Sequence, residues 1–195
     1  MVLIVSLLIV LVLFFLLATA LASVYSIGPT QIGLVRKRIG KKLPGDNPVA
    51  FLGEAGYQAD LLMPGLRFKF KPFFTVTKHP WVQVPAGQIG VVIAQVGKPT
   101  PIGAKSARYD SAFGNFTDFR TFVLKNGEKG VQRPVLSPGT LAPIHPVAFL
   151  VITKPQVFGL PVSDEYSRLA RGGKLDFRAF GLEEIGRASC RERVY

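Results

Sequence analysis

Few side chains in this sequence could do chemistry. There are two histidines, one cysteine and 12 carboxylates, set against 24 lysines and arginines. Both histidines precede a proline (His79-Pro80, His145-Pro146), which holds them in extended or turn backbone. Neither has a second ligand at metal spacing, so both read as satisfied turn or interface histidines. The carboxylates are scattered singly apart from Asp164-Glu165 and Glu183, which leaves no acid-base pair of the kind hydrolysis uses. There is no GxSxG, HExxH or Walker A sequence. The chain is therefore expected not to be an enzyme and to hold no cofactor and no metal.

What the sequence does supply is positive charge. The formal net charge is +12. The cations best placed for work are Arg36, Lys37, Arg38, Lys41 and Lys42, soon after the apolar N-terminus, and Arg67, Lys69 and Lys71 in "LRFKFK". Anionic lipid headgroups are their expected contacts, at about 1 kcal/mol per basic residue close to a membrane surface. Nucleic acid is not the expected partner, since no zinc-finger or RRM-type signature accompanies the charge.

These cations are positioned by an N-terminal run, "MVLIVSLLIVLVLFFLLATALA", that has no charged residue. It is long enough to cross a bilayer as a helix, and residues 1–24 read as a retained anchor. The alternative is a cleaved signal peptide, because Ala20-Leu21-Ala22 fits a small-x-small site. Against it, no Lys or Arg precedes the run, which exceeds the usual core of about 7 to 15 residues. Basic residues crowd only the C-terminal flank, in the segment 25–44. The positive-inside bias then makes this a single-pass protein of the cell membrane with its body in the cytoplasm.

From Tyr25 onward, short Val/Ile/Phe-rich runs alternate with Pro and Gly, the pattern of strands and tight turns. The body compares with itself in three places, in the same order. "PTQIGLVRKRIGKKLP" from Pro29 matches "AGQIGVVIAQVGKPTP" from Ala86, "GYQADLLMPG" from Gly56 matches "GVQRPVLSPG" from Gly130, and "VTK" at Val76 matches "ITK" at Ile152. An internal duplication is expected, with β units at about 28–84 and 85–161 at offsets of 57, 74 and 76 residues. The insertion in the second copy, "FGNFTDFRTFVLKNG", spaces Phe113, Phe116, Phe119 and Phe122 for an amphipathic helix ended by Asn126-Gly127. Its apolar face is expected to pack on a sheet in preference to dipping into the membrane. The acceptor sequence "NFT" at Asn115 has no meaning on a cytoplasmic body. Pro64-Gly65 and Pro138-Gly139 suit type II turns. In "LRFKFK" alternation puts Leu66, Phe68 and Phe70 on one face, expected to be core, and the three cations on the other. Ser163 is expected to cap a helix whose first turn holds Asp164 and Glu165, within a helical part 162–183 interrupted at Gly172-Gly173.

The apolar N-terminus followed by "GPTQIGLVRKRIGK", "GEAGYQADLLMPGLRFKF", "VTKHPWVQVPAGQIGVVIAQVG" and "GVQRPVLSPGTLAPIHPVAFLVITK" resembles the SPFH or band 7 family of stomatin, prohibitin and flotillin, in particular its large flotillin-like bacterial members. The resemblance implies an α+β fold, with the SPFH-like domain over residues 28–183 lying against the membrane. It also implies a coiled coil beyond that domain, through which members self-associate into large rings or cages. These delimit membrane microdomains and gather or shield other membrane proteins, membrane proteases among them. The family has no common catalytic residue or cofactor. Two departures stand out: no coiled coil is present, and no cysteine near the N-terminus could be acylated.

Residues 184–195, "EIGRASCRERVY", follow without turn, cap or periodicity and hold Cys190. Back-translated, they resemble a sequencing adapter, so they read as an artefact on an N-terminal fragment. Without their three Arg and two Glu the body carries +11. The functional expectation is a membrane-anchored, oligomerising scaffold. Its alternatives are an exported ligand-binding β domain and a membrane-tethered hydrolase whose catalytic part lies elsewhere.

Overall fold

The computed structural model describes residues 1–43, 47–101, 103–104, 106–154, 156–164 and 167. The protein is α+β, with one N-terminal apolar helix and a mostly β body. The chain divides into two compact units, Met1–Leu43 with Ala50–Pro80, and Pro44–Val49 with Trp81–Tyr195.

In the first unit, helix α1 (Val2–Leu21) leads into β1 (Val24–Ile27), β2 (Gln31–Lys37), β3 (Val49–Ala50), β4 (Gly56–Leu62), β5 (Gly65–Phe68) and β6 (Phe74–Pro80). Strand β2 lies between β4 and β6, antiparallel to both. The two-residue β3, where the chain re-enters the unit, lies beside β4 in the sheet order. Ile32, Leu34 and Val35 of β2 are buried, as a central strand requires, while Arg36 and Arg38 are exposed. β1 and β5 form a separate antiparallel ribbon.

In the second unit, β7 (Val82–Gln83) pairs with β10 (Leu141–Ala142). A four-stranded sheet runs in the order β12 (Val157–Phe158), β11 (Phe149–Ile152), β8 (Val91–Ala94), β9 (Gly130–Val131). All four residues of β8 and of β11 are buried. The insertion does not form the single helix expected of it. It breaks into a 3-10 turn, Ser111–Phe116, and a short helix α2, Phe119–Leu124. Gly114, Asn115 and Phe116 have positive φ between them, a conformation that a Gly-Asn pair enters at low cost. The break still delivers the aromatic rings to one place. Phe116, Phe119 and Phe122 lie 5.5, 5.9 and 5.0 Å from the ring of Phe149, and Phe113 lies 4.9 Å from Phe122. All five rings are buried; the insertion's apolar face is spent on the sheet. Asp118 caps α2 by accepting from Thr121 N–H at 3.0 Å. The Thr121 hydroxyl donates to it as well, and these bonds hold its carboxyl below the ordinary value of 3.8.

The two units share an internal hydrogen-bonding frame at the positions the sequence aligns. Gln58 Nε2 donates to the carbonyls of Glu54 and Gly56; 74 residues on, Gln132 Nε2 donates to those of Glu128 and Gly130. Ala55 N–H donates to Lys41 O in one unit and Lys129 N–H to Lys98 O in the other. Arg38 N–H to Phe73 O corresponds to Gln95 N–H to Ala148 O. A Cβ on Gly33 would press on Ile27, Leu62 and Val76; on Gly90 it would press on Val84, Leu136 and Val151. The last pair, Val76 and Val151, lies one residue off the third sequence match, which sets Val76 against Ile152. One extra residue, Thr140, follows the Pro138-Gly139 turn, in which Thr140 N–H donates to Ser137 O.

Candidate membrane interface

Helix α1 ends at Leu21, and two residues later Ser23 is fully buried. The Ser23 carbonyl accepts from Lys69 N–H at 3.0 Å. Its hydroxyl donates to Thr19 O at 2.6 Å and accepts from Lys71 N–H at 3.0 Å. One serine therefore joins the last turn of the apolar helix to the segment that follows β5. Two residues beyond Lys71, the carbonyl of Phe73 accepts from Arg38 N–H. Hydrogen bonds thus gather Lys69, Lys71 and Arg38 at the exit of α1, three cations that lie apart in the sequence. In Ser23→Ala the Lys71 amide loses its acceptor, which costs about 1 kcal/mol. Its hydrogen-exchange protection should fall roughly fivefold, the factor that 1 kcal/mol represents. Unchanged protection at Lys71 would mean the clasp is not formed.

The other expected headgroup contacts are dispersed. Lys37 Nζ donates to Gly53 O at 2.5 Å and is half-buried, so it closes a loop of its own unit. Arg36 lies over the Tyr57 ring, 5.7 Å from its centroid. Arg38 Nε donates to Thr75 Oγ1 and Arg67 Nε to Met63 O. Lys69 Nζ lies 5.4 Å from the centre of the Phe74 ring. Lys41, Lys42 and Lys71 are exposed. Of the three cations of "LRFKFK", Arg67 and Lys71 are exposed and Lys69 is half-buried.

Nor is its apolar face core. Leu66 is 75 % exposed and Phe68 60 %, while Phe70 is half-buried. Among the described residues, strand β5 pairs only with β1, outside the four-stranded sheet, and no second layer covers that side of the ribbon. Alternation says that the two faces differ; it does not say which one is inward.

The histidines take different roles. His145 is buried, its Nδ1 accepts from the N–H groups of Val147 and Ala148, and its ring lies 4.9 Å from Phe119. It is a turn histidine. His79, expected to be satisfied, has a buried Nε2 with no hydrogen-bond partner, and burial pushes its pKa below the usual 6.5. No group of three His, Cys, Asp or Glu comes together among the described residues. An open cleft of about 560 Å³ beside α2 faces Lys98, Arg108 and Lys125 toward Asp110 and Glu128. Lys125 and Asp110 pair across it at 3.1 Å.

Sequence reasoning missed Gln95. Its Nε2 donates to the carbonyls of Val147 and Leu160, and its Oε1 accepts from Val162 N–H. It clamps the departing chain just before Ser163, where Ser167 N–H donates to Ser163 O and a helical turn begins. Glu165, Gly172-Gly173, Glu183 and Cys190 lie outside the described residues.

Residues Leu3–Leu21 are long and apolar enough to cross a membrane, and none of them is buried. A signal sequence near the N-terminus can meet the same measure of length and apolar composition. No family model, curated protein or solved structure matches the chain.

Proposed function

We propose that this protein is a membrane-anchored, non-catalytic scaffold of the SPFH or band 7 kind, built from a duplicated β unit. Self-association lets it organise membrane microdomains or gather membrane-protein partners. The anchor is α1, spanning the cell membrane once, with the body on the cytoplasmic side. The observation that carries the reading is the Ser23 clasp, which ties the exit of α1 to the segment bearing Lys69 and Lys71. Cleavage after Ala22 would remove Thr19 O, the acceptor of the Ser23 hydroxyl, and with it the link from the helix end to the clasp. That favours the retained anchor over the exported domain. The recurrence of the Gln58 and Gln132 hydrogen bonds, and of the contacts around Gly33 and Gly90, supports the duplication.

Spin-labelled lipids around the reconstituted chain test the headgroup contacts. An anionic lipid should associate more strongly than a zwitterionic one. Replacing Lys41, Lys42, Lys69 and Lys71 by Gln should remove about 1 kcal/mol of that preference per lysine. Equal association of the two lipids would count against the reading. Cross-linking of the full-length gene product, which would carry the coiled coil expected beyond residue 183, tests the scaffold, with oligomers expected there.

A further inference from the structure

We propose that the β1–β5 ribbon is a second membrane contact, lying along the bilayer surface with Val24, Leu66 and Phe68 dipped into the boundary between headgroups and acyl chains. The proposal rests on α1 being a membrane anchor. In the ribbon Val24 stands opposite Phe68 and Ser26 opposite Leu66, so these four side chains share one face. All four are exposed, with Val24 at 49 %. The other face carries Tyr25, Ile27 and Arg67, and of these Ile27 is buried. The ribbon is therefore amphipathic with its apolar side outward, the reverse of a strand pair packed on a core.

The occupant of that side follows from continuity with α1. A 20-residue helix is about 30 Å long, the thickness of the hydrocarbon core, which places Ser23 at the membrane boundary. Val24 is the next residue, and Phe68 is its cross-strand partner. The clasp from Ser23 to Lys69 and Lys71 fixes the ribbon to the helix end, so the depth of one sets the depth of the other. The contact stops at the boundary. The outer edges of a two-stranded ribbon carry unpaired N–H and C=O groups, which hydrocarbon does not tolerate. Insertion of side chains alone, as with an interfacial amphipathic helix, keeps those edges hydrated. Lys69 and Lys71, beside the clasp, then stand at headgroup level, while Arg67, on the opposite face, stays on the water side.

The test uses the full chain in vesicles, in a Cys190→Ser background, with single cysteines carrying an environment-sensitive fluorophore. Leu66→Cys and Phe68→Cys should give blue-shifted emission that is mostly lost when nitroxide-labelled lipid is present. Arg67→Cys and the exposed Leu52→Cys should keep theirs. Phe14→Cys, inside α1, reports the anchor itself. Quenching at Phe14 with labels at 66 and 68 as wet as that at 52 overturns the ribbon contact and leaves the anchor standing. No quenching at Phe14 overturns both.

Discussion

Phe149→Ala should destabilise the protein by about 3–5 kcal/mol, the range for removing a large aromatic from a core that collapses only partly. Phe149 is 1 % exposed and meets the rings of Phe116, Phe119 and Phe122. The insertion has little other purchase: its two helical pieces are six residues each, too short to stand without tertiary packing. Loss of the ring should therefore loosen the whole segment from Ser111 to Leu124 together. Denaturant unfolding of the chain in detergent reads the magnitude, and hydrogen exchange across the insertion reads the localisation. Phe74, 75 residues earlier in the first unit, is only half-buried beside Lys69, so Phe74→Ala should cost visibly less. Equal losses at the two positions would contradict this account of the insertion.

Gly97→Ala should be comparably damaging, for a different reason. Gly97 has φ of +116°, and a Cβ there would collide with the carbonyl of Gly127. That carbonyl accepts from Lys98 N–H, and Lys98 O accepts from Lys129 N–H. Moving it therefore breaks the turn that starts β9. Backbone strain at such a φ costs about 1–3 kcal/mol, and each lost hydrogen bond adds about 1 kcal/mol. Gly103 separates the two terms. Its φ is +88° with nothing within 4 Å of a Cβ, so Gly103→Ala should show only the strain. Gly40, 57 residues before Gly97, would place a Cβ 2.9 Å from Ala55 N. If the two units descend from one, Gly40→Ala should disturb the matching turn before β4, seen as faster exchange of the Ala55 amide.

Much of the framework could be read from residue order. The apolar run, the Pro138-Gly139 turn and the strand character of "QIGLV" and "GVVIA" lie where alternation and turn chemistry put them; at Pro64-Gly65 the expected turn is absent, and Gly65, with φ of +117°, already pairs with Ile27 in β5. The aligned pairs fall on corresponding hydrogen bonds. One sign of this lies just outside the quoted match: Gly53-Glu54 and Gly127-Glu128 extend it, and the carbonyls of Glu54 and Glu128 accept from Gln58 and Gln132. Three things were not legible. Which face of β5 turns inward depends on whether a second layer covers it, and pattern alone carries no such information. The break at Gly114-Asn115 depended on the two residues' shared tolerance of positive φ, which a count of aromatic spacing overlooks. The roles of Ser23 and Gln95 depended on carbonyls and amides brought in from distant strands, and a small polar residue in a sequence does not advertise such partners.

The central claim is that α1 stays attached and holds the first unit at a membrane. It is tested most directly by the intact mass of the protein recovered from cells after an alkaline wash of their membranes. The account predicts a chain in the washed membrane fraction whose mass still includes the apolar helix through Ala22. A soluble chain whose mass begins at Ser23 would contradict it.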